Sequence, residues 1–69
     1  MEANRIGTQI RYYRKSLGLS QDALAQAAGL SRGMIAYIET GERLPSLDTT
    51  LPKICEVLGL DFDVTLRMK

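Results

Sequence analysis

The sequence predicts an all-α domain of four to five short helices, closed by a C-terminal segment with the periodicity of a strand. Three observations carry that expectation. Apolar residues recur at helical spacing through most of the chain, the punctuating glycines Gly18, Gly29, Gly41 and Gly59 fall where that spacing breaks, and only the last residues alternate with period two. A length of 69 residues allows one small core, so any function sits on a single surface or on an assembly of copies.

The first helix runs from about Asn4 to Leu17, where Ile6, Ile10, Tyr13 and Leu17 recur at intervals of four, three and four. Gly18 suits a left-handed C-terminal cap, and Leu19 returns the chain to the core. Ser20 is an N-cap for "QDALAQAA", with Asp22 complementing the helix dipole. The apolar positions of this second helix, Leu24, Ala25 and Ala28, are mostly small and allow a neighbouring helix to approach.

Gly29 ends the second helix, Leu30 points inward and Ser31 caps the third, which extends from about Arg32 to Thr40 with Ile35 and Ile38 on its apolar face. A link as short as "AGLS" between two helices marks a helix-turn-helix rather than a bundle pair. Gly41 closes the third helix, and "GERLPS" is a turn with Leu44 as a core plug. A fourth helix covers about Leu47 to Leu58, with Leu47, Leu51, Ile54 and Leu58 on one face; Pro52 calls for a late or kinked start.

In the tail, Phe62, Val64, Leu66 and Met68 alternate with polar residues over "DFDVTLRM". Read as one strand with no second strand in the chain, its natural partner is the same strand of a second copy, across a two-fold axis. A short fifth helix or a frayed tail is the alternative. The domain division is therefore 1–60 for the helical unit and 61–69 for a dimerisation tail.

Composition narrows the function. No apolar run is long enough for a bilayer and the N-terminus lacks the order of a signal peptide, so the cytoplasm is the expected compartment. With no histidine and one cysteine, Cys55, placed in an apolar helix pattern, neither a zinc site nor a catalytic nucleophile is expected, and no cofactor is implied. Residues 1–45 carry a net charge of +2 and residues 46–69 one of −1, a mild asymmetry compatible with either a mixed surface or a nucleic-acid footprint.

The stretch "GLSQDALAQAAGLSRGMIAYIETGERLPS" resembles the DNA-binding domain of the lambda-repressor-like, Cro/CI (XRE) helix-turn-helix family, from about Arg5 to Leu60. The resemblance implies that Arg14 and Glu39 tie the first helix to the third as a structural salt bridge. It also implies that the third helix lies in the major groove of double-stranded DNA with "SRGM" at the base edges. Arg32 is then the candidate for a bidentate contact to guanine. Gly33 allows the helix backbone close to the bases, although a polar reader is usual there in the family.

Met34 and Tyr37 are placed on the same side, against a thymine methyl or sugar, with a phosphate as a second partner for the tyrosine hydroxyl. An aromatic and a methionine at helical spacing also fit a core, but Ile35 and Ile38 already fill that face. Ser31, Thr40 and Arg43 match positions that reach the DNA backbone in relatives, and Gln21 matches one that reaches the phosphate backbone or a base edge. The tail "VLGLDFDVTL" resembles the HipB-type antitoxins, which implies a homodimeric repressor on a pseudo-palindromic operator, an antitoxin that represses its own toxin-antitoxin operon, with a HipA-type kinase toxin as partner. A phage-type or stand-alone regulator without a toxin is the alternative, and a protein-interaction module with weak DNA binding is a third reading.

Overall fold

The computed structural model describes residues 2–62 and 66–68, and side chains from residue 6 to residue 61. In chain order the elements are α1 (Glu2–Ser16), α2 (Gln21–Ala28), α3 (Arg32–Thr40), α4 (Thr50–Leu58), β1 (Leu60–Phe62) and β2 (Leu66–Met68). Helix α3 packs against both α1 and α2, α4 closes the other side of α2, and the two strands lie beside α4 and α1. Ile10, Leu24, Ile35, Ile38, Leu51, Ile54 and Leu60 meet at the centre, each essentially without solvent contact.

The repeated tripeptide Gly-Leu-Ser makes the two tight junctions. After α1, Gly18 takes φ 74° and its N–H donates to the Lys15 carbonyl, while the Leu19 N–H donates to the Arg14 carbonyl at 3.1 Å. After α2, Gly29 takes φ 71°, its N–H reaches the Gln26 carbonyl, and the Leu30 N–H reaches that of Ala25 at 2.8 Å. Both are paired-bond C-terminal caps that only glycine enters without strain, and in each the following leucine packs on the core. The serines then open the next helices, Ser20 Oγ accepting from the Ala23 N–H and Ser31 Oγ from the Met34 N–H.

The buried line of α1 differs from the expected one. Gly7, Ile10 and Arg14 lie innermost, Ile6 and Tyr13 are half-buried along one flank, and Leu17 is 54% exposed. Leu17 falls beyond the last turn of α1, where the cap swings the chain and Leu19 takes the inward place. A glycine and an arginine do not read as core residues, so apolar periodicity placed the face slightly too far round the helix.

Leu44 is also exposed, at 58%, and the buried residue of that turn is Pro45. The turn is closed by the Arg43 N–H donating to the Tyr37 carbonyl, which fixes the direction in which the chain leaves α3. Leu47 is 66% exposed because α4 begins late, at Thr50. Pro52 then falls in the first turn, where a missing N–H leaves no helical bond unmade. Ser46 serves the start of α4 from outside, its Oγ accepting from the Thr50 N–H and its carbonyl from the Leu51 N–H.

The tail has a partner within the chain, contrary to the single-strand reading. β1 and β2 pair antiparallel with Leu60 opposite Met68, Asp61 opposite Arg67 and Phe62 opposite Leu66. Period-two alternation is the same for one strand as for two halves folded back on each other, so the pattern could not separate them. Val64 and the side chains of Phe62, Leu66 and Met68 lie outside the described residues. Leu60 is anchored in the core, so the boundary drawn after residue 60 falls inside β1.

Candidate nucleic-acid interface

Helix α3 divides its residues between two environments. Ile35 and Ile38 are fully buried, whereas Arg32, Gly33, Tyr37 and Thr40 are exposed and share the opposite side. Tyr37, with half its surface in solvent, lines a shallow depression together with Glu42 and Arg43. Met34 is half-buried and packs against the core cluster, so only part of its side chain is accessible from outside. At i+3 from Ser31 its backbone N–H also completes the cap.

At the start of α3 the helix presents backbone donors. Ser31 is exposed and extended, at φ −84° and ψ 154°, and its side chain satisfies Met34. The N–H groups of Arg32 and Gly33 have no acceptor among the described residues. A β-carbon built on Gly33 meets no protein atom within 4 Å, so internal packing does not require glycine there. The helix forgoes some stability at this position without a return inside its own fold. At the other end Thr40 Oγ1 donates to the Tyr37 carbonyl and accepts from the Glu42 N–H at 3.4 Å, which holds the turn that carries exposed Arg43.

Behind that surface lies a buried ion pair. Arg14 Nε donates to Glu39 Oε2 at 2.7 Å and Nη2 to Oε1 at 3.0 Å, while Nη1 donates to the Leu19 carbonyl at 2.8 Å. Both residues are less than a tenth exposed. A planar guanidinium meets a carboxylate in this two-point manner with good geometry at both bonds, and the pair fixes α3 against α1 and the α1–α2 link. Gln21, half-buried at the first position of α2, adds a third donor to the same carboxylate, Nε2 to Oε1 at 3.1 Å.

Two features of this arrangement were not anticipated from the sequence. Gly7 lets α1 approach α3 so closely that a β-carbon there would lie 2.8 Å from the Glu39 carbonyl oxygen, and nearer still to that of Ile38. The Gln21–Glu39 bond joins α2 to the ion pair. Neither has a local sequence signal, because both depend on residues brought together from separate helices.

The described residues contain no cluster of three side chains suited to hold a metal ion, and no helix among them is long and apolar enough to cross a membrane. What the molecule offers is a short helix held rigidly from behind, with its N-terminus and one polar face projecting outward. That is the construction of a helix-turn-helix reader.

The chain belongs to the HTH_3 helix-turn-helix family, the Cro/CI type, which matches residues 10–64. It is a non-enzymatic HTH-type transcriptional regulator. It is 38% identical over 63 residues to the HTH-type transcriptional regulator YazB of Bacillus subtilis, covering 91% of this chain and 90% of the relative. Its fold is similar to that of the restriction-modification controller protein C.AhdI from Aeromonas hydrophila, at a TM-score of 0.81 and 32% identity, covering 86% of this chain and 88% of the other. It is likewise similar to the biofilm-formation regulator SinR solved in complex with DNA, at a TM-score of 0.71 and 37% identity over 77% of this chain and 84% of that one.

Proposed function

We propose that the chain is a sequence-specific, DNA-binding repressor that acts as a homodimer on an operator with two-fold symmetry. The observation that carries this reading is the outer face of α3, where Arg32, Tyr37 and Thr40 are exposed around a glycine that no part of the protein requires. Arg32, at the first helical position, reaches into the major groove and donates two hydrogen bonds to guanine O6 and N7. Gly33 brings the helix backbone close to the base edges. Tyr37 contacts a sugar, a thymine methyl or a phosphate, and Ser31, Thr40, Arg43 and Gln21 hold the flanking backbone.

That SinR, a relative with the same fold, was solved in complex with DNA supports DNA binding by this fold. Two copies whose recognition helices sit about 34 Å apart would read successive major grooves on one side of the duplex. Each strand of the β1–β2 pair has one edge without a strand partner among the described residues, and joining such edges across a two-fold axis would make a four-stranded sheet. Phe62, Val64, Leu66 and Met68 remain the residues assigned to that contact. A chain ending at Leu60, checked for helix content by circular dichroism, is expected to be monomeric in light scattering at micromolar concentration; an unchanged dimer mass would remove the tail from the interface.

A regulator that works without a toxin is the better-supported form of the proposal. The HipB-type reading and its HipA-type kinase partner rested on the resemblance of the tail, with its strand pairing across a dimer, and β1 and β2 pair within the chain. The relatives described above are a transcriptional regulator, a restriction-modification controller and a biofilm regulator rather than antitoxins.

Substitution of Arg32 tests the reading directly. Arg32→Ala should lower affinity for the selected duplex by about 1 to 3 kcal/mol per half-site and relax the sequence preference at one base pair, with thermal stability unchanged. Retention of wild-type affinity and preference would remove Arg32 from the reading face.

A further inference from the structure

Gln21, half-buried at the first position of α2, links the buried ion pair to the surface. Glu39 accepts three hydrogen bonds: two from Arg14, which is buried, and one from Gln21 Nε2. Arg14 is in turn held by the Leu19 carbonyl, so the carboxylate sits in a fixed frame built from α1, α3 and the link between α1 and α2. Gln21 is half-buried, and its amide nitrogen carries a second hydrogen. Neither that hydrogen nor the amide oxygen has a partner among the described residues. A flexible side chain with three χ angles is thereby reduced to one orientation before anything binds, with a donor left over at the start of α2 beside the C-terminal end of α3.

We propose that Glu39 is a positioning residue for DNA affinity: by accepting one Gln21 amide hydrogen, it aims the other at a phosphate of the duplex that α3 reads. The inference rests on the DNA-binding reading above and deepens it. It makes the Arg14–Glu39 pair part of the binding apparatus although both residues are buried. The physical gain is preorganisation, because the rotamer entropy of the glutamine is lost on folding rather than on binding. A carboxylate on one side of the amide also polarises it and strengthens the donor on the other.

The probe is a random-sequence duplex at low salt, since a phosphate contact carries no sequence information. Gln21→Met removes both N–H donors from a surface-reaching side chain and should weaken binding by about three- to tenfold. Gln21→Asn keeps the amide but is shorter by one methylene, so it cannot span from Glu39 to a phosphate; it should lose about as much as Gln21→Met. Because glutamine carries no charge, neither change should alter the slope of log affinity against log salt.

In a double-mutant cycle, Glu39→Gln should reduce DNA affinity in the chain with Gln21. It should leave DNA affinity unchanged in the Gln21→Met chain, while lowering the urea midpoint in both. Wild-type affinity in Gln21→Asn, or an equal effect of Glu39→Gln on DNA affinity in both backgrounds, would overturn the positioning role. If Glu39→Gln fails to fold, the comparison of Gln21→Asn with Gln21→Met decides by itself. Failure of the wild-type chain to bind the duplex would instead overturn the DNA-binding reading beneath it.

Discussion

Gly7 in α1 stands directly against the backbone of Glu39 in α3, close enough that any side chain at residue 7 would meet the two carbonyls at the end of the recognition helix. The two helices are therefore in contact main chain to main chain, and one hydrogen atom at residue 7 is what permits it. Gly7→Ala should destabilise the fold by about 1 to 3 kcal/mol or more, because the obstruction is backbone and cannot swing aside. A urea titration followed by circular dichroism measures it, and a midpoint equal to wild type would mean that α1 is not seated this closely.

The Arg14–Glu39 pair is the second fixed point between the same helices. Arg14→Ala leaves a buried carboxylate with one glutamine donor and should cost about 3 to 5 kcal/mol, a large part of what a domain of this size has. Replacing both partners with apolar residues of similar volume, Arg14→Met with Glu39→Leu, should recover much of that loss. If the double variant is as unstable as Arg14→Ala, the pair owes its place to something beyond compensated burial.

Gly33 separates stability from function. Since a β-carbon at that position meets open space, Gly33→Ala should stabilise α3, by about 0.5 to 1 kcal/mol, through helix propensity alone. The same change should weaken DNA binding by about an order of magnitude, because a methyl group there holds the helix away from the base edges and weakens a hydrogen bond to one of them. Thermal melts and titrations against a duplex on one protein preparation give both numbers. A variant that is more stable and binds as well would show that the glycine is not at the base edges.

Arg43 is exposed next to Tyr37 and Glu42 at the exit from α3. As a phosphate contact, its loss in Arg43→Ala should weaken binding to all duplexes alike and reduce the slope of log affinity against log salt by about one for each site occupied. An unchanged slope would leave Arg43 as a solvated surface charge.

The helices were legible because their ends are written locally. Gly18, Gly29 and Gly41 adopt the left-handed conformation that stops a helix, and Ser20 and Ser31 cap the next one, so the spacing of these residues gives element positions to within a residue or two. Pro52 likewise pointed to the late start of α4. The exposed strip of α3 was legible by subtraction, since Ile35 and Ile38 define the inner side.

What escaped was decided by partners distant in sequence. Leu17, Leu44 and Leu47 are apolar by identity but exposed in place, because a cap, a turn and a delayed helix start rotate them away from the core. Gly7 and Arg14 occupy core positions for reasons that appear only when α3 is set against α1. The tail's alternation was read correctly as strand and wrongly as a single strand, since two paired strands carry the same period as one. Gln21 was assigned to the DNA backbone from its place in the motif; its bond to Glu39 depends on the α2–α3 angle, which no local pattern encodes.

The central claim is that the outer face of α3 reads a symmetric DNA site. Selection of bound duplexes from a random library by the intact chain, at near-physiological salt, tests it most directly. The expected result is enrichment of an inverted repeat with half-sites about one helical turn apart, in which one invariant guanine per half-site disappears from the pattern selected by Arg32→Ala. A selected pool with no common sequence would contradict it and make the face of α3 a site for a protein partner instead.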